Sequence, residues 1–159
     1  MNLCSVDLDK AIRSVLNNLK GIESLYTGQL ELLSCLLQED SNIFYTSSTN
    51  SGKTLPTVIL PSIMKELNTL GYCFPKNPKV LFLTALNSIQ MSLMVTMKKI
   101  GVACESLNSE NAKYLLKNGP DVIFISPETL KMSEVTRVLL EHRSDFVLKI
   151  IDEAHLGKI

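Results

Sequence analysis

Short apolar runs alternate with longer amphipathic stretches along this chain. Leu8, Ile12, Val15, Leu16 and Leu19 recur at helical spacing, and Gly21 follows as a stop. A second helix fits Gln29 to Gln38, with Leu30, Leu33, Leu36 and Leu37 on or near one face. Asn42 to Thr46 (NIFYT) reads as a short strand. A helix then runs from about Lys53 to Leu70; Pro56 suits its first turn, whereas Pro61 lies deep enough to kink it. A turn-rich link, GYCFPKNP, leads to a buried strand from Lys79 to Thr84. Next come a helix from Leu86 to Ile100, a short strand from Val102 to Leu107 and a short helix from Glu110 to Lys117. Gly119-Pro120 breaks the chain before the apolar strand Asp121 to Ser126. Pro127 opens a helix towards His142, and the strand Phe146 to Ile151 runs straight into Asp152-Glu153-Ala154-His155. Alternating strands and helices predict an α/β fold, a parallel sheet with crossover helices on its faces.

Composition narrows the class only a little. The 159 residues suffice for one domain with a real core, and 45% apolar with 20% charged residues is ordinary for a globular protein. Net charge is zero, so no global field draws the chain to nucleic acid or to an anionic membrane. Cys4, Cys35, Cys73 and Cys104 are widely spaced, which argues against a zinc site or a disulfide framework and for buried free thiols in a reducing compartment. The amino terminus lacks the apolar segment of a secretory signal, and no apolar run is long enough to span a bilayer.

The candidate chemistry begins at TSSTNSGKT, residues 46–54. A strand, a tight loop and a helix start form the arrangement in which backbone N–H groups and a helix N-terminus hold phosphate oxygens. Here those N–H groups would come from Ser48, Thr49, Asn50, Ser51 and Gly52. Lys53 would reach the β and γ phosphates, and Thr54 would give its hydroxyl to magnesium. Gly52 admits close backbone approach, where a Cβ would collide. Two positions depart from the strict pattern: Ser47 replaces its first glycine, and Asn50 stands where related loops carry another. Asn tolerates a left-handed backbone, so the second change is mild. The competing reading is a Ser/Thr-rich turn with a chance Gly-Lys-Thr.

Asp152 and Glu153 follow the last strand, which brings both motifs to the carboxyl edge of a parallel sheet, where such folds bind ligands. Asp152 would hold magnesium, Glu153 would orient the attacking water, and His155 would couple the nucleotide state to a second domain. The competing reading is an N-cap Asp opening a surface helix. The order and placement of the two motifs favour the nucleotide site.

Together these residues resemble the RecQ-like group of superfamily-two helicases, over nearly the whole chain as far as the second motif. The resemblance implies a RecA-like, P-loop ATP-binding domain, truncated just after its acidic motif. It further implies a lead-in over residues 1–26 and a partial first domain over 27–159. Leu16, Gly21 and Gln29 match the spaced pattern ahead of the loop, and Gln29 would read the adenine edge. The family's aromatic-arginine pair falls on Leu25-Tyr26, so the cation is lost and Tyr26 would stack on adenine instead. Leu60-Pro61 matches a family Leu-Pro, VLFLTALNSIQMSLM looks like motif Ia, GVACESLNS is the most RecQ-like segment, and ISPETL looks like motif Ib with Thr129 in place of arginine. In such enzymes these segments lie along single-stranded DNA, which would place Thr84, Asn87, Ser126 and Glu128 near phosphates or their support. The plainer alternative is that these residues only cap helices.

The resemblance implies ATP and Mg2+ as cofactors, and single-stranded or duplex DNA as partner of the full-length protein. It also implies a nuclear location. By that resemblance, an aromatic-rich loop, motif III and a second RecA-like domain with its arginine finger are expected beyond this segment. Since such a finger is worth ~10³-fold or more in rate, this polypeptide alone is expected to hydrolyse ATP negligibly. Two rival readings stand beside this one: another superfamily-two RNA or DNA translocase, and a degenerate, non-hydrolysing nucleotide-binding interaction module.

Overall fold

The computed structural model describes residues 3–38, 43 and 52–151. They fall into two compact units, one ending at Phe74 and the other beginning at Pro75. The expected strand at Asn42 to Thr46 lies outside the described residues apart from Ile43.

The first unit is helical. It contains α1 (Ser5–Asn17), α2 (Thr27–Gln38) and α3 (Thr54–Thr69), with α3 packed against both others. The apolar spacing explains the packing: α1 buries Ala11, Ile12, Val15 and Leu16, and α3 fully buries Leu60, Ile63 and Leu67. Helix α1 stops at Asn17, short of Gly21. Asn18 and Leu19 donate to the Val15 and Leu16 carbonyls at 3.1 and 2.9 Å, tightening the last turn, and Gly21 then turns the chain. Pro61 stands inside α3, buried, and the helix continues through it to Thr69.

One side chain fastens the start of α1 to the segment after α3. The Tyr72 hydroxyl accepts from the Cys4 N–H at 3.0 Å and donates to Asp7 Oδ2 at 3.0 Å. Tyr72→Phe should cost the first unit about 1 kcal/mol. Urea unfolding followed by far-UV circular dichroism measures this, and an unchanged midpoint would mean that water replaces the hydroxyl without loss.

The second unit is the parallel α/β layer that the alternation predicts. Its strands are β1 (Lys79–Leu83), β2 (Cys104–Ser106), β3 (Val122–Ile125) and β4 (Phe146–Ile151), in the spatial order β2-β3-β1-β4 with all pairs parallel. Helix α4 (Asn87–Ile100) crosses from β1 to β2, and α5 (Ala112–Asn118) crosses from β2 to β3. Every residue of β3 is buried, as an inner strand covered on both faces should be. Register explains the two faces. Leu81 and Leu83 pair with Ile123 and Ile125 and pack with Leu115, Leu116, Val135 and Val138 of the helices. Phe82 pairs with Phe124 on the other face, their rings 5.1 Å apart and stacked.

Two expectations are corrected, and one buried residue needs an account. The single helix from Pro127 towards His142 is two, α6 (Pro127–Leu130) and α7 (Ser133–Glu141). In one continuous helix Leu130 would point roughly 140° away from Val135 and roughly 180° away from Leu139. The break at Met132, whose backbone is extended, lets all four reach one core, and the Thr136 hydroxyl takes the Leu130 carbonyl at 2.7 Å. Lys79, in the strand expected to be buried, is itself fully buried with its charged end. Its Nζ donates to the Gly119 and Pro120 carbonyls at 3.3 and 3.2 Å, just past the negative end of α5. The cysteines are free, but only Cys104 is buried; Cys4, Cys35 and Cys73 are exposed. Cys4 precedes α1, Cys73 sits in the turn-rich link, and Cys35 lies on the outer side of α2, so the packing of the core reaches none of them. Burial pushes the Cys104 thiol above its usual range.

Candidate functional site

In the first unit the candidate site is built where α2 and α3 begin. Tyr26 caps α2: its carbonyl accepts from the Gln29 and Leu30 N–H groups at 2.9 and 3.0 Å. Gln29, three residues on, reaches back so that its Oε1 accepts from the Tyr26 N–H at 2.9 Å. This is the glutamine half of a capping box. The other end of the same carboxamide donates from Nε2 to the Gly52 carbonyl at 2.9 Å. That carbonyl also accepts from the Leu55 N–H at 3.1 Å, in the first turn of α3. Gln29 is 4% exposed, so one buried amide fastens the start of α2 to the residue that opens the loop's exit.

Gly52 has φ +68°, a left-handed conformation, and a Cβ added there would lie 2.5 Å from Gln29 Nε2. Both facts require glycine. Lys53 is exposed and caps α3 without a side-chain bond, and Thr54 is the first helical residue, half-buried. Pro56 sits in the first turn, where a missing N–H costs nothing. The sixteen-residue helix therefore presents its positive end beside a lysine. A left-handed glycine, a helix N-terminus, an ammonium and a hydroxyl fit a magnesium-bound polyphosphate. Tyr26 is 75% exposed, joined to the same corner through Gln29. Ser48, Thr49, Asn50 and Ser51 lie outside the described residues.

The second unit places the other candidates at the carboxyl ends of its strands. Ile151, the last residue of β4, pairs with Leu83, so β4 reaches that edge; Asp152, Glu153 and His155 lie outside the described residues. Thr84 follows β1 and is buried, its N–H on the Ile125 carbonyl at 3.1 Å, so its hydroxyl belongs to the support of the edge. Asn87, at the start of α4, is exposed. Ser126 caps α6, its Oγ accepting from the Thr129 N–H at 3.1 Å and sharing a hydrogen bond with the Thr129 hydroxyl. Hydrogen bonds from its own backbone N–H and then from Ser126 hold the Glu128 carboxyl below its usual range. A carboxylate turned back on its own helix start supports the turn and does not reach for phosphate.

Three polar residues that bear on this edge escaped the sequence reading. Gln90 is buried on α4, with Oε1 accepting from the Thr84 hydroxyl at 3.3 Å and Nε2 donating to Ser106 Oγ at 2.6 Å. Asn108 and Asn111 lock the turn after β2. Asn108 Oδ1 accepts from the Asn111 N–H at 2.9 Å, Asn111 Oδ1 accepts from the Asn108 N–H at 2.8 Å, and Asn111 Nδ2 donates to the Ser106 carbonyl at 3.0 Å. The one available signal was Gln90 itself, in line with Met94 and Met97 on the inward stripe of α4.

The parallel α/β fold is consistent with a RecA-like domain, and the family and the relative that this chain matches support an N-terminal domain of a superfamily-two helicase. Residues 9–158 match the family described as "Type III restriction enzyme, res subunit", and the chain belongs to that family. It is also similar to the ATP-dependent helicase Lhr-Core of Sulfolobus acidocaldarius, at 26% identity over 138 residues. The match covers 76% of this chain and 16% of that protein. No helix among the described residues is long and apolar enough to cross a membrane.

Proposed function

We propose that this chain is the ATP-binding part of a RecQ-like 3′–5′ DNA helicase, residues 27–159 forming part of its first RecA-like domain. One observation carries the reading: Gly52, left-handed and fastened by Gln29, delivers Lys53 and Thr54 to the N-terminus of a long helix. ATP with Mg2+ supplies the transferable phosphoryl group and the charge that neutralises it. Lys53 binds the β and γ oxygens. Thr54 and Asp152 hold the metal, Glu153 orients water, and His155 couples the site to a second domain. Gln29 uses one lone pair and one N–H on Tyr26 and Gly52, which leaves one of each for the adenine edge. Tyr26 offers its exposed ring for stacking. The exposed Asn87 faces single-stranded DNA, Thr84, Ser126 and Glu128 support the strand-end loops, and the whole protein works in the nucleus.

The match to Lhr-Core favours a second reading, a superfamily-two translocase of another group acting on DNA or RNA. The loop itself is tested by titrating the chain with a fluorescent ADP analogue and magnesium, beside Lys53→Ala, with both shown folded by circular dichroism. Saturable, magnesium-dependent binding that weakens about tenfold or more in Lys53→Ala is the expected result. A folded wild type that binds nothing would overturn the proposal in favour of a degenerate interaction module.

A further inference from the structure

Gln90 joins two strands that are not neighbours. The sheet order is β2-β3-β1, so β3 separates the strands that end beside Thr84 and Ser106. Helix α4 is the crossover between those two strands, and Gln90 sits in its first turn. One carboxamide therefore takes the hydroxyl after β1 and gives to the hydroxyl ending β2. Each contact extends further into the edge. The Thr84 N–H donates to Ile125, the residue before the Ser126 cap, and the Ser106 carbonyl accepts from Asn111 in the turn that Asn108 closes. The Leu107 N–H donates to the Phe124 carbonyl at 2.8 Å, tying that turn to β3 as well. Three loops, after β1, β2 and β3, thus share one polar network centred on Gln90.

The site is polar where packing alone would want an apolar residue. Its stripe neighbours are Met94, whose Sδ lies 4.0 Å from Gln90 Nε2, and the buried Met97. A leucine would fill this position at no desolvation cost, whereas a buried amide is tolerable only because both ends are bonded. A network of this kind specifies geometry more than it adds stability.

We propose that Gln90 is a positioning residue for single-stranded DNA: it holds the loops after β1, β2 and β3 in the register that presents Asn87 and the 108–111 turn to one phosphodiester backbone. This rests on the helicase reading of the same edge. The mechanism is mechanical. Loss of the bridge lets the loop after β1 and the loop after β2 move independently, and contacts to successive phosphates then no longer form together.

The test compares wild type, Gln90→Leu, Gln90→Glu and Ser106→Ala in the full chain at low salt. Each is titrated with a labelled single-stranded DNA oligonucleotide, a matching RNA oligonucleotide and the fluorescent ADP analogue. Gln90→Leu should weaken DNA binding roughly three- to tenfold while ADP-analogue affinity stays within about twofold. Gln90→Glu keeps an acceptor for Thr84 but loses the donor to Ser106 and buries a carboxylate, so it should not recover that loss. Combining Gln90→Leu with Ser106→Ala should cost no more than Gln90→Leu alone. A folded Gln90→Leu that binds DNA as well as wild type overturns the inference and leaves the helicase reading standing. So does a parallel loss of DNA and nucleotide binding with a lowered Tm, which marks a merely structural amide. Tight RNA binding with none to DNA, or nucleotide binding with no oligonucleotide bound, overturns both the inference and its DNA partner.

Discussion

Gly119→Ala should lower the thermal midpoint of the second unit by about 10 °C, the largest stability effect expected from a single methyl group in this chain. Backbone strain is not the cause, because Gly119 has φ −82° and ψ −176°, which any residue adopts. The cause is space. A Cβ there would lie 2.6 Å from the Leu115 carbonyl oxygen, 2.8 Å from Leu115 Cα and 2.9 Å from Leu115 Cδ2. The first two are backbone atoms of α5, so no rotamer change relieves the contact. Gly119 also donates its N–H to that carbonyl at 2.9 Å and offers its own carbonyl to the buried Lys79 ammonium. Retreat of Gly119 would therefore loosen the end of α5 and weaken an acceptor of a fully buried cation, where poor pairing is costly. The cost should be about 2 kcal/mol, at the middle of the range for overpacking. Scanning calorimetry of wild type and variant decides it; coincident melts would mean that the turn before β3 has a second arrangement of equal energy.

Gly52→Ala should reduce affinity for the ADP analogue about a hundredfold while changing overall helicity little. Two costs combine. The left-handed backbone at φ +68° disfavours any Cβ, by roughly 1–2 kcal/mol. The new methyl would also meet Gln29 Nε2 at 2.5 Å. That atom ends a flexible side chain, so Gln29 swings away, and its bonds to the Gly52 carbonyl and the Tyr26 N–H are lost together at about 1 kcal/mol each. The loop exit and the α2 cap then become independent. Non-additivity distinguishes this account from simple loop strain. Gln29→Ala removes the obstacle, so Gly52→Ala with Gln29→Ala should bind no worse than Gly52→Ala alone. Fully additive losses, or a Gly52→Ala chain that binds within twofold of wild type, would show that Gln29 does not hold the loop.

Strand positions were largely legible in the chain because buried parallel strands are short, apolar throughout and bounded by breakers. KVLFLT, DVIFIS and FVLKII all appear as β1, β3 and β4 within a residue or so at each end. Helix ends were less so. The stop at Asn17 rather than Gly21 depends on a tightened last turn, and the break at Met132 depends on where Leu130 must point. Gly52, Lys53 and Thr54 stood out because glycine, cation and hydroxyl at a helix start have few other uses in that order.

The amino-acid sequence by itself therefore determined the α/β class, the alternation of strands with crossover helices and the residue types offered to phosphate. Each of these is local: periodicity reports which face of an element is buried, and short-range chemistry reports where an element begins. The tertiary structure alone decided which partners the polar side chains meet. Gln29 as a capping residue is a relation across three positions, but its bond to Gly52 spans twenty-three. Gln90 bridges strands separated by a third, and Lys79 is buried against carbonyls forty residues away. No pattern along the chain encodes such pairs, because a hydrogen bond between distant residues depends on the packing that brings donor and acceptor together.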